Sequence, residues 1–185
     1  MPREDCIGRR ELERARRDLG RFVEIQARVA ARRLGFGWEP GVSAPSSFDA
    51  LQEAFEQSWS SGKALPVSSL HCESTIYGAA EVNHALRFWH DTQHVLTSHS
   101  FSDQDELQLA QHHLLTLRAA GFATGSLVYQ LLRADTIGQT RCRAQVGKFP
   151  DNQLKFAITA IEHGIPAAIR REAQLLEQLS TAGAR

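Results

Sequence analysis

One stretch constrains the chain more than any other. From Ala80 to Leu114 it reads AEVNHALRFWHDTQHVLTSHSFSDQDELQLAQHHL and holds six of the protein's eight histidines: His84, His90, His94, His99, His112 and His113. Val82, Leu86, Trp89, Val95 and Leu96 recur at spacings near three and four up to Ser98, and Leu107, Leu109, Leu114, Leu115 and Leu117 do so up to Gly121. That is the periodicity of two amphipathic helices. Ser102 or Asp103 is a start signal for the second, so only a short turn separates them. The stretch therefore predicts an antiparallel helical hairpin at about 79–121, and an all-α helical bundle built around it.

The remainder continues in the same manner. From about Gly8 to Leu34, apolar residues such as Leu12, Leu19, Phe22, Val23 and Val29 recur at helical spacing among many arginines. Interleaved Glu11, Glu13, Asp18 and Glu24 break the basic run into pairs three and four apart, the mark of a solvated helix face. A phosphate-contacting helix is the alternative, and the apolar stripe could pair with a second copy of the chain. Residues 35–47 read as a loop, with Pro40 and Pro45 forbidding a helix. Ser47 caps a short helix, FDALQEAFEQSW, with Phe48, Leu51, Phe55 and Trp59 on one side. Residues 60–78 read as a long irregular segment, of the kind that often serves as a lid or binding loop. It holds His71, Cys72 and Glu73, a further conceivable ligand trio. Residues 122–146 read as one helix despite Gly125 and Gly138. Pro150 and Asp151 open another that ends at Gly164, and Pro166 sits in the first turn of a last one to about Leu179, with a fraying tail. No segment shows convincing strand alternation. A single all-helical domain over 1–185 is expected.

Bulk properties bound the function. With 21 basic and 21 acidic residues the formal net charge is zero, so neither nucleic acid nor an acidic membrane is implied as partner. Three widely spaced cysteines, Cys6, Cys72 and Cys142, argue against a disulfide framework and fit a reducing compartment. The charged start MPREDCIGRRELER lacks the apolar core of a secretory leader. No apolar run approaches the roughly 18 residues of a spanning helix, and a cytoplasmic, soluble protein is expected. Neither Gly-x-Ser-x-Gly nor a glycine-rich phosphate loop occurs.

The chemistry gathers in the hairpin. His90 and His94 are four apart, one turn apart on one helix face, and Asp91 borders that face. Neutral imidazoles at this spacing chelate one divalent ion, and carboxylates complete the set. His94 lies about one turn before the first helix ends, and Glu106 about one turn into the second. In an antiparallel hairpin the two stand at one height, so Glu106 can reach the same ion. The alternative for Glu106 is to cap its own helix in the manner of a capping box. His113, two turns beyond Glu106, stands near the level of His84, which places both in an outer shell. His112 points away, and His99 reads as a surface or outer-shell residue. The ligand set expected is His90, Asp91, His94 and Glu106.

Three families share parts of this pattern. His90-Asp91-x-x-His94, eleven intervening residues and Glu106 resemble the zinc motif of the ubiquinone-biosynthesis family called coenzyme Q biosynthesis protein four. The resemblance covers the motif and no more of the chain. It implies an all-helical fold, the same four ligands, and a polyprenylated quinone precursor handled at a membrane. The His-x-x-x-His pair with a downstream glutamate is similar to a gluzincin protease site, with Asp91 where that family has a glutamate base. His90-Asp91 also resembles the doublet of the HD-domain phosphohydrolases. That reading needs an upstream histidine, offered by His71 or His84, and a distal aspartate, offered by Asp135.

Four protein ligands would close a tetrahedral zinc shell and make the site structural; three would leave a position for water. Two histidines and a carboxylate also suit Fe(II) and Mn(II). Phe88, Trp89 and Phe101 flank the motif as a wall for a hydrophobic ligand or as core. The sequence thus predicts a metal-binding protein, zinc first, acting as a hydrolase or lyase on a small organic substrate. A non-catalytic scaffold with a metal staple, an HD-type phosphohydrolase, and a nucleic-acid accessory protein using the basic first helix are the other readings.

Overall fold

A computed structural model describes residues 7–72 and 75–182, the last four by backbone alone. Cys6 and Glu73, and with Glu73 the expected trio it would form with His71 and Cys72, lie outside the described residues. The chain folds as an all-helical body with one small strand pair. In order come α1 (Arg9–Leu34), β1 (Trp38–Gly41), α2 (Phe48–Ser61), β2 (Leu65–Ser68), α3 (Ala80–Thr97) and α4 (Asp103–Ala119). After them come α5 (Leu127–Arg133), a π-helical turn (Ala134–Gly138), α6 (Gln139–Val146), α7 (Gln153–His163) and α8 (Ile165–Ala182). No helix among the described residues is long and apolar enough to cross a membrane.

The expected stop signals act as read. Gly35 and Gly147 end α1 and α6 as expected, and Gly62, inside the segment read as irregular, ends α2 two residues past Trp59; all three take the left-handed conformation and donate their backbone N–H four residues back, as an αL cap requires. Ser47 caps α2, accepting from Ala50 N–H at 3.2 Å. On α1, Arg9–Glu13, Arg14–Asp18 and Arg28–Glu24 pair at 3.3, 3.8 and 3.3 Å, so its basic face is the solvated face expected. Its other face, Ala15, Leu19, Phe22, Val23, Ala27 and Ala30, is buried in the chain's own core. A second copy therefore finds no open stripe there.

Four expectations are corrected. The irregular segments hold strands: Trp38–Gly41 and Leu65–Ser68 pair in parallel, Trp38 opposite Leu65 and Pro40 opposite Val67. Four-residue strands are too short to alternate visibly, and β2 needs a partner beyond a whole helix. The helix expected over residues 122–146 begins only at Leu127, and a π turn interrupts its regular course. Ser126 caps α5, accepting from Tyr129 N–H, and the π turn inserts itself between α5 and α6. Helix α7 starts at Gln153 because Asn152, not Asp151, caps it, accepting from Lys155 N–H at 2.8 Å. Helix α8 passes Leu179 to reach Ala182.

The core runs from α1 to α8. Phe88, at 0 % exposure, stacks on Trp38 with ring centroids 4.9 Å apart, and Trp89 packs edge-on against Phe22 at 5.6 Å. Both aromatic residues therefore serve the core and not a ligand wall.

Candidate metal centre

Helix α3 ends in a tight reversal. Ser98 takes φ +54° and donates to Val95 O at 3.2 Å, while His99 N–H donates to His94 O at 3.0 Å. This turn swings the His99 carbonyl back over α3, where His94 Nδ1–H donates to it at 2.9 Å. A carbonyl can only accept, so the proton of neutral His94 sits on Nδ1 and the Nε2 lone pair is left for a ligand. His99 was expected at the surface or in an outer shell; its backbone oxygen supplies the contact.

Helix α4 is capped by Ser102, whose hydroxyl accepts from Asp105 N–H at 3.2 Å. Asp105, not Glu106, reaches back: it accepts from Ser100 N–H at 2.9 Å. With the cap filled, Glu106 is released to face α3. Its Oε2 lies 3.3 Å from His90 Nε2 and 3.8 Å from His94 Nε2, and the two Nε2 atoms are 2.9 Å apart. On a tetrahedral zinc with ligand bonds near 2.0–2.1 Å, two ligand atoms stand about 3.3 Å apart. The observed edges bracket that value. His90, His94 and Glu106 form a group that could hold a metal ion, their ligand atoms all within 4.8 Å of one another.

Asp91 is not one of that group. One residue after His90, it is rotated about a hundred degrees round the helix, and its charge acts on the site from the side. Burial pushes its carboxyl up to about 6, against the pull of His90 and Arg87. The outer-shell expectations divide. His113, at 0 % exposure, sits behind His90, its Nε2 3.1 Å from His90 Nδ1. The ligating form of His90 carries its proton on Nδ1, and His113 Nε2 is placed to accept it. The ring of Trp89 holds His113 from the other side, centroids 4.0 Å apart, and His113 Nδ1 has no partner. His84 belongs elsewhere: its Nε2 lies 3.5 Å from Cys72 Sγ. Six residues before His90, it faces another side of α3.

The protonation states suit ligation. Burial, helped by the charge of His90, brings His94 down to about 4, so it is neutral. Burial works to raise Glu106, but its hydrogen bond with His90 and the nearby cations outweigh it and the carboxyl stays ionised. Burial also works to lower His90; the hydrogen bond and charge of Glu106, with Asp91 and Asp135 behind, prevail and raise it above 6.5. A metal must displace the His90 proton, while His94 needs no deprotonation at neutral pH. The rise in thermal midpoint caused by added zinc should therefore grow as the pH is raised through the region above 6.5 where His90 loses its proton, with proton release on binding, as linkage requires. A zinc shift that is flat over that range removes His90 from the ligand set.

His90 and Glu106 also line a cavity of about 680 Å³, together with Asp135, Gln139, Arg143 and Lys148. Asp135 comes from the π turn. It accepts from Tyr77 O–H at 2.6 Å and Gln139 Nε2–H at 2.5 Å, and burial pushes its carboxyl up to about 6. Tyr77, with its own hydroxyl pushed up by burial and by Asp135, comes from the segment before α3. Sequence reasoning reached Asp135 only through the phosphohydrolase doublet, and did not reach Tyr77 or Gln139. A π turn is frequent at functional sites, but no local pattern announces one. Compared with known proteins, the chain matches no family model, no curated protein and no solved structure.

Proposed function

We propose that the protein is a metal-dependent enzyme in which His90, His94 and Glu106 hold a zinc ion and a small organic molecule occupies the adjoining cavity. One observation carries this reading: two of the three ligand residues, His90 and Glu106, line the cavity themselves. Three protein ligands beside a cavity leave a coordination position for water, the arrangement of catalytic and not structural zinc. Held by His90, His94 and Glu106, zinc would supply Lewis acidity, lowering the pKa of a coordinated water or polarising a substrate carbonyl. Two imidazoles and a carboxylate suit zinc, and Fe(II) or Mn(II) by the same chemistry.

Asp135 supports the enzyme reading. It shares the cavity with His90, is oriented by Tyr77 and Gln139, and has its carboxyl brought up to about 6. A carboxylate of that basicity, held in place, accepts a proton near neutral pH, as a hydrolase or lyase requires. Leu86, Ala110, Phe149 and Pro150 give the cavity an apolar side, and Arg143 and Lys148 a cationic one. This lining favours a substrate with a hydrophobic body and a polar head. The motif resemblance to the ubiquinone-biosynthesis family makes polyprenylated quinone precursors the first substrates to try.

Cobalt substitution separates the enzyme from a metal staple between α3 and α4. The cobalt protein should show a visible tetrahedral spectrum that shifts when acetohydroxamate or azide is added, because one position is open to the cavity. A spectrum indifferent to both additions supports the staple, with Asp91 drawn in as the fourth ligand.

A further inference from the structure

A second cluster of reactive side chains lies at the other end of α3. Cys72 Sγ is 3.5 Å from His84 Nε2 and accepts from Asn83 Nδ2–H at 3.2 Å. Asn83 is 4 % exposed. The thiol S–H has two acceptors in range, His84 and the Leu70 carbonyl, the latter at 3.6 Å. Two arginines place the segment. Arg87 donates to Ser68 O and Leu70 O, both at 2.7 Å, and Arg16 from α1 donates to Ile76 O at 2.8 Å and Thr75 O at 3.2 Å. Between them His71 takes φ +56°, a left-handed turn unusual for a residue with a Cβ, and Cys72 follows it onto the first turns of α3.

Donors and positive charge surround the sulfur. An amide N–H bonds a thiolate more strongly than a thiol. His84 is positioned to take the thiol proton. Arg16, Ala79 and Ala80 line the same cavity of about 440 Å³ as Cys72 and His84, so a guanidinium and the start of α3 face it. The Ala79 cap has no side-chain acceptor, and the positive end of the helix dipole is left to the cavity. Cys72 is half-buried, open to a small reagent. Thiols in partly exposed electropositive places of this kind are the reactive ones.

We propose that Cys72 is a nucleophilic thiol, with His84 as its proton acceptor, and that the cavity takes a small carbon electrophile, neutral or anionic. In the step, Cys72 Sγ forms a bond to the electrophilic carbon, the bond from that carbon to its leaving group breaks, and the leaving group departs with the electron pair. The thiol proton passes to His84 Nε2. The step is independent of the metal centre, whose ligands it does not touch.

Alkylation of the full-length protein tests this. Wild type, His84→Gln and Asn83→Ala are treated at pH 7 with iodoacetamide and with iodoacetate, alongside glutathione, and labelling is read at each cysteine by peptide mass spectrometry. Cys72 should react roughly tenfold faster than glutathione, and His84→Gln should lose most of that excess. The iodoacetate-to-iodoacetamide rate ratio should exceed that of glutathione, because the cavity is positively polarised. Cys142, at 0 % exposure with its thiol pushed up by burial to about 11, stays unlabelled while the fold holds, so it reports any variant that has unfolded. If Cys72 in wild type reacts no faster than glutathione, the proposal is overturned. An unchanged rate in a folded His84→Gln overturns the role of His84, and a rate ratio equal to that of glutathione overturns the positive polarisation of the cavity.

Discussion

Purified protein is expected to contain close to one equivalent of zinc, and His94→Ala and Glu106→Ala to contain almost none. His94 carries its proton toward His99 O and presents a bare Nε2, and Glu106 Oε2 is within 3.8 Å of both imidazoles. Loss of an outer-shell partner typically weakens a metal site 10–100-fold, so loss of either ligand should weaken this one by more than about 100-fold. Elemental analysis by plasma mass spectrometry reads the result directly. His94 is fully buried, so its removal also disturbs packing; Glu106→Gln keeps the shape and should lose most of the metal as well. Asp91→Asn, outside the triad, should retain it. Loss of metal in Asp91→Asn would return Asp91 to the ligand set and close the shell. Metal retained in Glu106→Ala would reduce Glu106 to a residue near the start of α4.

Gly138→Ala is expected to destabilise the protein by about 1–3 kcal/mol, although helix propensity alone argues for a gain approaching 1 kcal/mol. The clash outweighs the propensity. An added Cβ would lie 2.9 Å from Phe156 Cε1, with Ile165 Cγ1 at 3.7 Å. Phe156 is 1 % exposed, so its ring has nowhere to go, and the π turn or α7 must shift. For a chain of this size each kcal/mol moves the thermal midpoint by roughly 2–4 °C. Denaturant unfolding at constant m-value checks it, and a midpoint that rises or stays put would show that Phe156 yields without cost. Asp135 belongs to the same turn, so a shifted π turn also moves the carboxylate that faces the metal cavity.

The helices were legible because their signals are local. The His90–His94 pair needs only the pitch of α3. Ser47 and Ser102 act as caps on groups three residues away, and Gly35 and Gly147 stop helices through their own φ. Even the meeting of His94 with Glu106 follows from two helices and a short turn, so three of the four expected ligands converge as read. Reading Asp91 as a ligand went one step beyond periodicity: a face-bordering residue can reach an ion or miss it by a rotation that spacing does not resolve. The capping role offered for Glu106 fell to Asp105, one position away, for the same reason.

Pairings between residues far apart in the chain were not legible. Leu65 meets Trp38 across a whole helix, Tyr77 meets Asp135 fifty-eight residues on, and Cys72 meets His84 where Arg87 and Arg16 hold the chain before and after Cys72. The π turn that aims Asp135 at the cavity has no sequence signature, because it arises where α5 packs on α7 and α6 on α8, with Gly138 against Phe156. The sequence by itself determined the helices, their ends and the imidazole pair, since hydrogen bonds within three or four residues set them. The tertiary structure alone decided that Asp91 stays outside the triad, that Asp135 lines the cavity beside it and that His84 meets Cys72, since packing between distant elements sets those distances.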